Sequence, residues 1–247
     1  MKIALLILAL GAAARLQAEP GEVRFTSGPL RVALVELYTS EGCSSCPPAE
    51  RWFAALARDP GLWRDFVPIA FHVDYWNQLG WTDRFSRPAF TQRQFRWAAA
   101  WGASSVYTPC FVLNGREWRP SLSALSSTKD GGGMLAIDYG DRRCLIRFAP
   151  SAPNPGERWE AHVALLGGEI ESHIGSGENA GALLDHEFVA LALVDVPLAP
   201  EGAAAGAAIS IPAAEFAGTR RRALAAWITR SGRPEPVQAT GGWIGVD

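Results

Sequence analysis

Apolar residues follow two different patterns along this chain, one in each half. In the first half, continuous apolar runs at 30–38 and 66–73 predict strands of a sheet that is covered on both faces. Between and after them, apolar residues recur at helical spacing over 47–58 and 88–101, which predicts two helices. This alternation of strand and helix indicates an α/β arrangement.

The first half of the chain ends in a predicted β-hairpin. A short strand is predicted at 110–114, and Asn114-Gly115 is typical of a two-residue hairpin turn that leads into a returning strand at 116–119. A short helix is predicted over 120–127. Three consecutive glycines then make 129–133 the best candidate for a domain boundary.

Beyond the glycines, apolar residues no longer recur at helical spacing. Short strand-like segments separated by Gly, Pro and Asn predict a smaller, mainly antiparallel β domain over 134–247. The predicted strands are 143–148, 159–166, 187–194, 207–211, 223–229 and 237–244.

The N-terminus predicts export. Lys2 is followed by an apolar run at 3–14 and by the small residue Ala18 just before Glu19-Pro20, a pattern typical of a secretory signal at 1–18. An uncleaved anchor is the alternative. Because 3–14 is too short to span a bilayer and no later run is long enough, we expect a secreted or periplasmic chain without a membrane span after cleavage.

Charge limits the possible binding partners, and the number of cysteines permits disulfides. The formal net charge is −2, so we expect no nucleic-acid partner. The chain has four cysteines, and an even number in an exported protein permits disulfides.

The Cys43-Ser44-Ser45-Cys46 motif is the clearest chemical signal. It stands between a predicted strand and a predicted helix that opens with Pro47-Pro48, and prolines are tolerated in a first helical turn. Two thiols at a helix N-terminus can close on each other, and the helix dipole favours a thiolate there. This arrangement suits thiol–disulfide exchange, while a fixed structural bridge is the alternative.

Four segments together resemble a known family. They are VELYTSEGCSSCPPAE, HVDYWNQLGWTDRFSRPAFTQRQ, SVYTPCFVLNG and GENAG, and the similarity extends from about residue 30 to about residue 194. They are similar to a family of exported bacterial proteins of unknown function (DUF1223), which is assigned to the thioredoxin-like superfamily. The resemblance implies an α/β, thioredoxin-like domain over 28–128, followed by the β-rich domain.

The resemblance also implies roles for individual residues. Cys43 would be the attacking thiol and Cys46 the resolving one. Pro109 would be a cis-proline that faces the pair, since X-Pro bonds adopt the cis form at little cost. Glu36 would lie beneath Cys46 and take its proton, as a buried carboxylate with a raised pKa can.

Two sets of residues are candidate substrate contacts. Tyr107 and Thr108, next to Pro109, are expected to pair with an extended substrate backbone. Tyr75 and Trp76 belong to a loop rich in aromatic and polar residues and are expected to line a groove beside the cysteines, with packing over the core as the alternative. The expected partners are a protein thiol or disulfide substrate and a redox partner protein. We expect no cofactor and no bound metal.

The remaining cysteines allow a second bridge. Cys110 and Cys144 lie on either side of the glycine boundary, and a disulfide between them would join the two domains. A regulatory thiol is the alternative.

The sequence thus predicts an exported thiol–disulfide oxidoreductase. One alternative is a Cu(I)-binding, metallochaperone-type protein that uses the same two cysteines with His72 or Cys110 as a third ligand. Another is an interaction module with an inert disulfide.

Overall fold

Strands dominate the computed structural model, which describes residues 22–120, 125, 130–154, 156–212 and 218–245. Strands make up 47% of the chain and helices 14%, with two α-helices in the described part. The helices are α1 (Pro47–Ala55) and α2 (Pro88–Trp101). The strands are β1 (Val23–Thr26), β2 (Ala33–Thr39), β3 (Phe66–His72), β4 (Cys110–Leu113), β5 (Arg116–Trp118), β6 (Met134–Gly140), β7 (Arg143–Ala149), β8 (Trp159–Gly168), β9 (Ile170–His173), β10 (Leu183–His186), β11 (Val189–Pro197), β12 (Ala199–Glu201), β13 (Ala204–Ser210), β14 (Arg221–Arg230) and β15 (Pro236–Ile244).

The main sheet has eight strands in the order β15-β14-β8-β11-β3-β2-β4-β5. Strands from both sides of the glycine boundary therefore share one sheet. The predicted fold class, an α/β thioredoxin-like domain followed by a smaller β domain, is wrong, because the chain is mostly β and its strands join large multi-strand sheets.

The join between β3 and β11 explains this correction. β3 is buried along its whole length, so its second edge needs a pairing partner. The N–H of Ala70 donates to the carbonyl of Phe188 at 2.8 Å, and Val189 pairs in parallel with Ala70. Hydrophobic periodicity identifies both strands as buried but does not say that they are neighbours.

A second sheet, β1-β6-β7-β13-β12, shares a core with one face of the eight-stranded sheet. Alternation along β8 follows the strand pleat: Val163 and Leu165 enter this core, whereas Ala164 and Leu166 enter the larger core on the other face. The eight-stranded sheet is therefore covered on both faces.

The two helices contact opposite faces of β2. Thr39 bonds to Glu50 of α1, while Glu36 bonds to Arg93 of α2. Successive side chains of a strand point to opposite faces, and an odd separation of three residues places these two apart. Both predicted helices are confirmed, although the first becomes a 3₁₀ turn over Leu56–Arg58.

The structure tests several further predictions made from the sequence. The Asn114-Gly115 hairpin is confirmed, with φ of 50° and 85° as a tight hairpin turn requires. Strands β1, β6, β9, β10 and β12 were not predicted. The predicted signal at 1–18 and most of the predicted helix at 120–127 lie outside the described residues.

No helix in the described part of the chain is long and apolar enough to cross a membrane. The division into units at 28–128 and 134–247 stays a prediction about folding, because a shared sheet shows where strands lie and not whether either segment folds alone.

Candidate functional site

A disulfide joins Cys43 and Cys46 at the N-terminus of α1. Consecutive turns build the loop, since the N–H of Cys43 donates to the carbonyl of Ser40 and the N–H of Cys46 to that of Cys43, each at 3.1 Å. The Cα atoms of the two cysteines lie 5.4 Å apart, a normal separation for a disulfide. Both cysteines are buried, whereas the intervening Ser44 and Ser45 are exposed.

The loop before β4 lies against this disulfide. The Thr108–Pro109 peptide bond is cis, as the resemblance implied. The carbonyl oxygen of Thr108 lies 3.8 Å from Cys43 Sγ and accepts from Ser45 Oγ at 3.4 Å. The loop that carries Pro109 is therefore in direct contact with the cysteine motif.

The aromatic residues expected at the site surround the same loop. Trp76 Nε1 donates to Thr108 Oγ1 at 2.8 Å. The Tyr75 hydroxyl donates to Gln94 Oε1 at 3.3 Å, and Gln94 Nε2 donates to the Tyr107 carbonyl at 2.8 Å. The Tyr107 side chain itself is 49% exposed. The structure thus brings Tyr75, Trp76, Tyr107 and Thr108 together, while their substrate-binding role stays a prediction.

A loop from the second half of the chain covers the cysteine motif. This cover loop, residues 174–182, connects β9 to β10. Asn179 Nδ2 donates to the carbonyls of Glu41 at 2.8 Å and Cys43 at 3.0 Å. The Glu178 carboxylate accepts from the N–H of Ser44 at 3.1 Å. The GENAG motif was part of the family resemblance, but nothing in its spacing indicated contact with the cysteines.

Glycine is needed where the cover loop turns. Gly177 has a φ of 78°, which favours glycine, and a Cβ there would lie 3.1 Å from Trp81 Cβ. Ser176 Oγ donates to the Gly80 carbonyl at 2.6 Å. The cover loop is therefore held at both the cysteine motif and the loop that follows β3.

The predicted position of Glu36 beneath Cys46 is wrong. Its carboxylate accepts from Arg93 at 2.8 and 3.0 Å, from Trp97 Nε1 at 3.0 Å and from the Tyr38 hydroxyl at 2.6 Å. These partners lie on the α2 face of β2, whereas the disulfide begins α1 on the other face. Glu36 therefore joins α2 to the sheet.

The predicted Cys110–Cys144 disulfide is also wrong, because both thiols are free and buried. Cys110 belongs to the core beside α1 and α2, and Cys144 to the core between the two sheets. Burial raises the pKa of Cys110 to about 11 and that of Cys144 to about 12. Each of these cysteines therefore fills an apolar position in a different core.

Sequence reasoning missed a buried group behind the cysteine loop, which we call the acid–histidine cluster: Glu41, Glu50, His72, Asp83 and His186. His186 Nδ1 lies 2.8 Å from Glu50 Oε2 and its Nε2 lies 3.3 Å from Glu41 Oε1. His72 Nδ1 lies 2.7 Å from Asp83 Oδ2. The sequence singled out only His72 as a possible ligand and gave no sign that these five residues meet, because Glu50 and His186 are 136 residues apart.

The cluster holds its acids ionised. Burial acts to raise the pKa of Glu50, but the charge of His186 and its hydrogen bond outweigh burial and lower that pKa. Burial likewise disfavours a charge on His186, yet Glu50 and Glu41 together raise the pKa of His186 to about 10. Potential ligand atoms of Glu50, His72 and His186 all lie within 4.8 Å of one another, so these three side chains could hold a metal ion.

Fold and site together define a mostly β protein with a helix-terminal CxxC disulfide. A family model described as "Protein of unknown function (DUF1223)" matches residues 34–229, and the chain belongs to that family. No curated protein matches.

Two solved structures are similar to this chain. One is protein AGR_C_4864 from Agrobacterium tumefaciens, with 24% identity, a TM-score of 0.62, and coverage of 88% of this chain and 96% of that one. The other is HBP35 of Porphyromonas gingivalis, with 11% identity, a TM-score of 0.59, and coverage of 88% and 76%. At these identities the likeness concerns the fold alone.

Proposed function

We propose that this protein is an exported thiol–disulfide oxidoreductase that acts on protein thiols through Cys43 and Cys46. The observation that carries the proposal is the disulfide at the start of α1, with the Thr108–Pro109 loop against Cys43 Sγ. A structural bridge needs no such neighbour, whereas an exchange site needs a surface that positions the incoming sulfur.

The chemistry is a two-electron exchange. A substrate thiolate attacks Cys43 Sγ, the Cys43–Cys46 bond breaks, and Cys46 leaves as a thiolate that takes up a proton. A second substrate thiolate then attacks the substrate sulfur of the mixed disulfide and releases Cys43. The substrate dithiol becomes a disulfide, and a redox partner protein accepts the two electrons when it reoxidises Cys43 and Cys46. In the reverse direction, Cys43 attacks a substrate disulfide and Cys46 resolves the intermediate.

Access to Cys43 depends on the cover loop. Cys43 and Cys46 are each 0% exposed, and Asn179 and Glu178 bond to the backbone around them. An incoming thiolate must lie in line with the disulfide, so residues 174–182 have to move aside during exchange. Exposed Ser44 and Ser45 and the exposed side chain of Tyr107 mark the surface that a substrate would meet first.

The test is equilibration of the purified protein in graded glutathione buffers, with thiol trapping and mass spectrometry of the Cys43–Cys46 pair. We expect a reversible transition at a potential above about −230 mV, as exchange catalysts have. The Cys46→Ala variant should accumulate a mixed disulfide on Cys43, whereas the matched control Cys144→Ala should behave like the natural chain.

A pair that stays bridged to below about −300 mV, together with no mixed disulfide in Cys46→Ala, would contradict the proposal. The bridge would then be structural, and the protein would be better described as an interaction module.

A further inference from the structure

The acid–histidine cluster contains the elements of a metal site. Glu50 comes from α1, His72 from the end of β3 and His186 from the end of β10. Their side chains are 92–99% buried. A small cavity of about 10 Å³ lies between them, and Leu37, Phe53, Ala70 and Glu187 complete its lining. A volume of this order holds one water molecule or one ion.

Each histidine has a carboxylate that orients its ring. Asp83 Oδ2 lies 2.7 Å from His72 Nδ1, and Asp83 is itself fixed by the N–H groups of Glu41 at 2.8 Å and Phe85 at 2.9 Å. This contact favours a proton on Nδ1, so Nε2 is the His72 nitrogen whose lone pair is available to a metal ion. Metal-binding histidines characteristically donate their second nitrogen to a carboxylate in this way.

The second histidine repeats the pattern with another acid. Glu41 Oε1 lies 3.3 Å from His186 Nε2, and Glu41 is anchored through its other oxygen by Trp81 Nε1 at 2.7 Å. Nε2 is the His186 nitrogen nearer to Glu41, and Nδ1 is the one that faces Glu50 Oε2, at 2.8 Å.

The hydrogen bonding of the cluster is incomplete. Glu41 Oε1 and His186 Nε2 are close, but neither makes a hydrogen bond of acceptable geometry within the described residues. Both residues are at least 98% buried, and burying polar groups without partners is costly. Coordination of His186 Nδ1 would release the ring from its bond to Glu50 and let Nε2–H turn towards Glu41.

Charge favours a cation in the same place. In the described part of the chain, the three buried carboxylates of Glu41, Glu50 and Asp83 face at most two imidazolium charges, and a cation bound in place of the imidazole protons would compensate them. Two imidazoles and one carboxylate are ligands that suit Zn²⁺ and similar first-row ions, whereas Ca²⁺ and Mg²⁺ prefer oxygen alone and Cu(I) prefers sulfur.

We propose that Glu50, His72 and His186 bind one divalent transition-metal ion, with Zn²⁺ as its model, and that Asp83 and Glu41 orient the two histidines. Tetrahedral Zn–N and Zn–O bonds of about 2.0–2.2 Å place ligand atoms about 3.3–3.6 Å apart. Ligand atoms now up to 4.8 Å apart must therefore approach by roughly 1.2–1.5 Å, and His186 Nδ1 and Glu50 Oε2, now 2.8 Å apart, must separate by about 0.5 Å. The site joins the hairpin that carries the cover loop to α1, and it uses neither cysteine.

The test uses the full chain with its disulfide intact, stripped with a chelator and titrated with Co²⁺ and then with Zn²⁺ against a competing indicator dye. Because the site is buried, the metal is added both to native protein and during refolding. We expect one equivalent to bind, with visible Co²⁺ d–d bands and without the near-ultraviolet band that thiolate ligands produce.

Variants locate the site. His186→Gln and Glu50→Gln should weaken Zn²⁺ binding at least 100-fold, and Asp83→Asn should weaken it about 10- to 100-fold. His173→Gln, which changes an exposed histidine on the same hairpin, should bind Zn²⁺ as the natural chain does. Circular dichroism of each variant establishes whether it is folded.

Failure of the natural chain to bind Co²⁺ or Zn²⁺ under either loading procedure would overturn the proposal, whatever the variants do. Binding that survives in folded His186→Gln would do so as well, and the cluster would then be a metal-free imidazolium–carboxylate network. The metal titrations and the glutathione titration test separate proposals, because the Cys43–Cys46 disulfide stays intact during the metal titrations and neither cysteine is a proposed ligand.

Discussion

Glu178 places a negative charge directly beside the cysteine motif. Its carboxylate accepts a hydrogen bond from the N–H of Ser44. A negative charge at this position would repel an incoming thiolate. Because Glu178 is exposed, salt should screen much of this effect.

Replacing Glu178 by Gln should therefore speed the reduction of the Cys43–Cys46 disulfide by a small anionic thiol by roughly two- to tenfold at low ionic strength. The rate is followed by stopped-flow tryptophan fluorescence or by acid quenching. Glu171→Gln, at an exposed acid of the same hairpin, is the control. An unchanged rate at low salt would mean that Glu178 acts only by holding the loop.

The two free thiols should be inert in the native protein. Thiolates react and thiols do not, and burial holds the pKa of Cys110 at about 11 and that of Cys144 at about 12. At pH 8, a disulfide dye should detect less than about 0.1 thiol per chain before denaturation. It should detect two after denaturation without reductant and four after reduction. Fast reaction of one native thiol would contradict the burial argument, and Cys144→Ala would identify it.

At this scale the sequence predicted the cysteine pair but not which acid stands where. Cys43 and Cys46 were identified by local order, because strand, turn and helix are contiguous, whereas Pro109 was identified through the family resemblance. Glu36 and Glu50 are both acids near the motif, and only the face of β2 that each helix covers separates them.

At the scale of elements, a buried ion pair joins α2 to the sheet. The Arg93 guanidinium forms two bonds to the Glu36 carboxylate, and its side chain is 4% exposed. It also lies over the Trp227 ring, at 4.8 Å from the centroid, which extends the contact to β14. Removing one member would leave a buried, unpaired charge.

Arg93→Ala should therefore lower the free energy of unfolding by about 3–5 kcal/mol, measured by urea denaturation. Arg96→Ala, which removes an exposed arginine from the same helix, should change it by less than about 0.5 kcal/mol. Combining Arg93→Met with Glu36→Leu should recover part of the loss, since the remaining charge is then also removed. A full loss in the double variant would mean that packing, and not the ion pair, dominates.

Elements were predicted well wherever their periodicity is strong. The end of α2 was predicted to the residue because Gly102, with a φ of 69°, ends the helix, and its start was predicted to within about a residue from Pro88. Short strands such as β9 and β12 carry three or four residues and no usable period, so they escaped notice.

For the whole molecule, the pairing of β3 with β11 matters most. It places strands from both halves of the chain in one sheet, and the acid–histidine cluster and the cover loop add contacts across the same divide. Sequence patterns identify buried strands, but they do not encode which distant strand occupies an open edge. This is the physical reason why the fold class was wrong although most of its strands were anticipated.

The shared sheet leads to a prediction about folding. In a fragment of residues 28–128, β3 would lose β11 and expose an apolar edge whose backbone groups have no partner. We expect the fragment to aggregate or to lack near-ultraviolet circular dichroism, and the full chain to unfold in one transition that far-ultraviolet circular dichroism and tryptophan fluorescence report alike. A fragment that melts cooperatively on its own would show that the glycine boundary limits an independent folding unit. The β3–β11 pairing would then be a docking contact between two units and not a condition for folding.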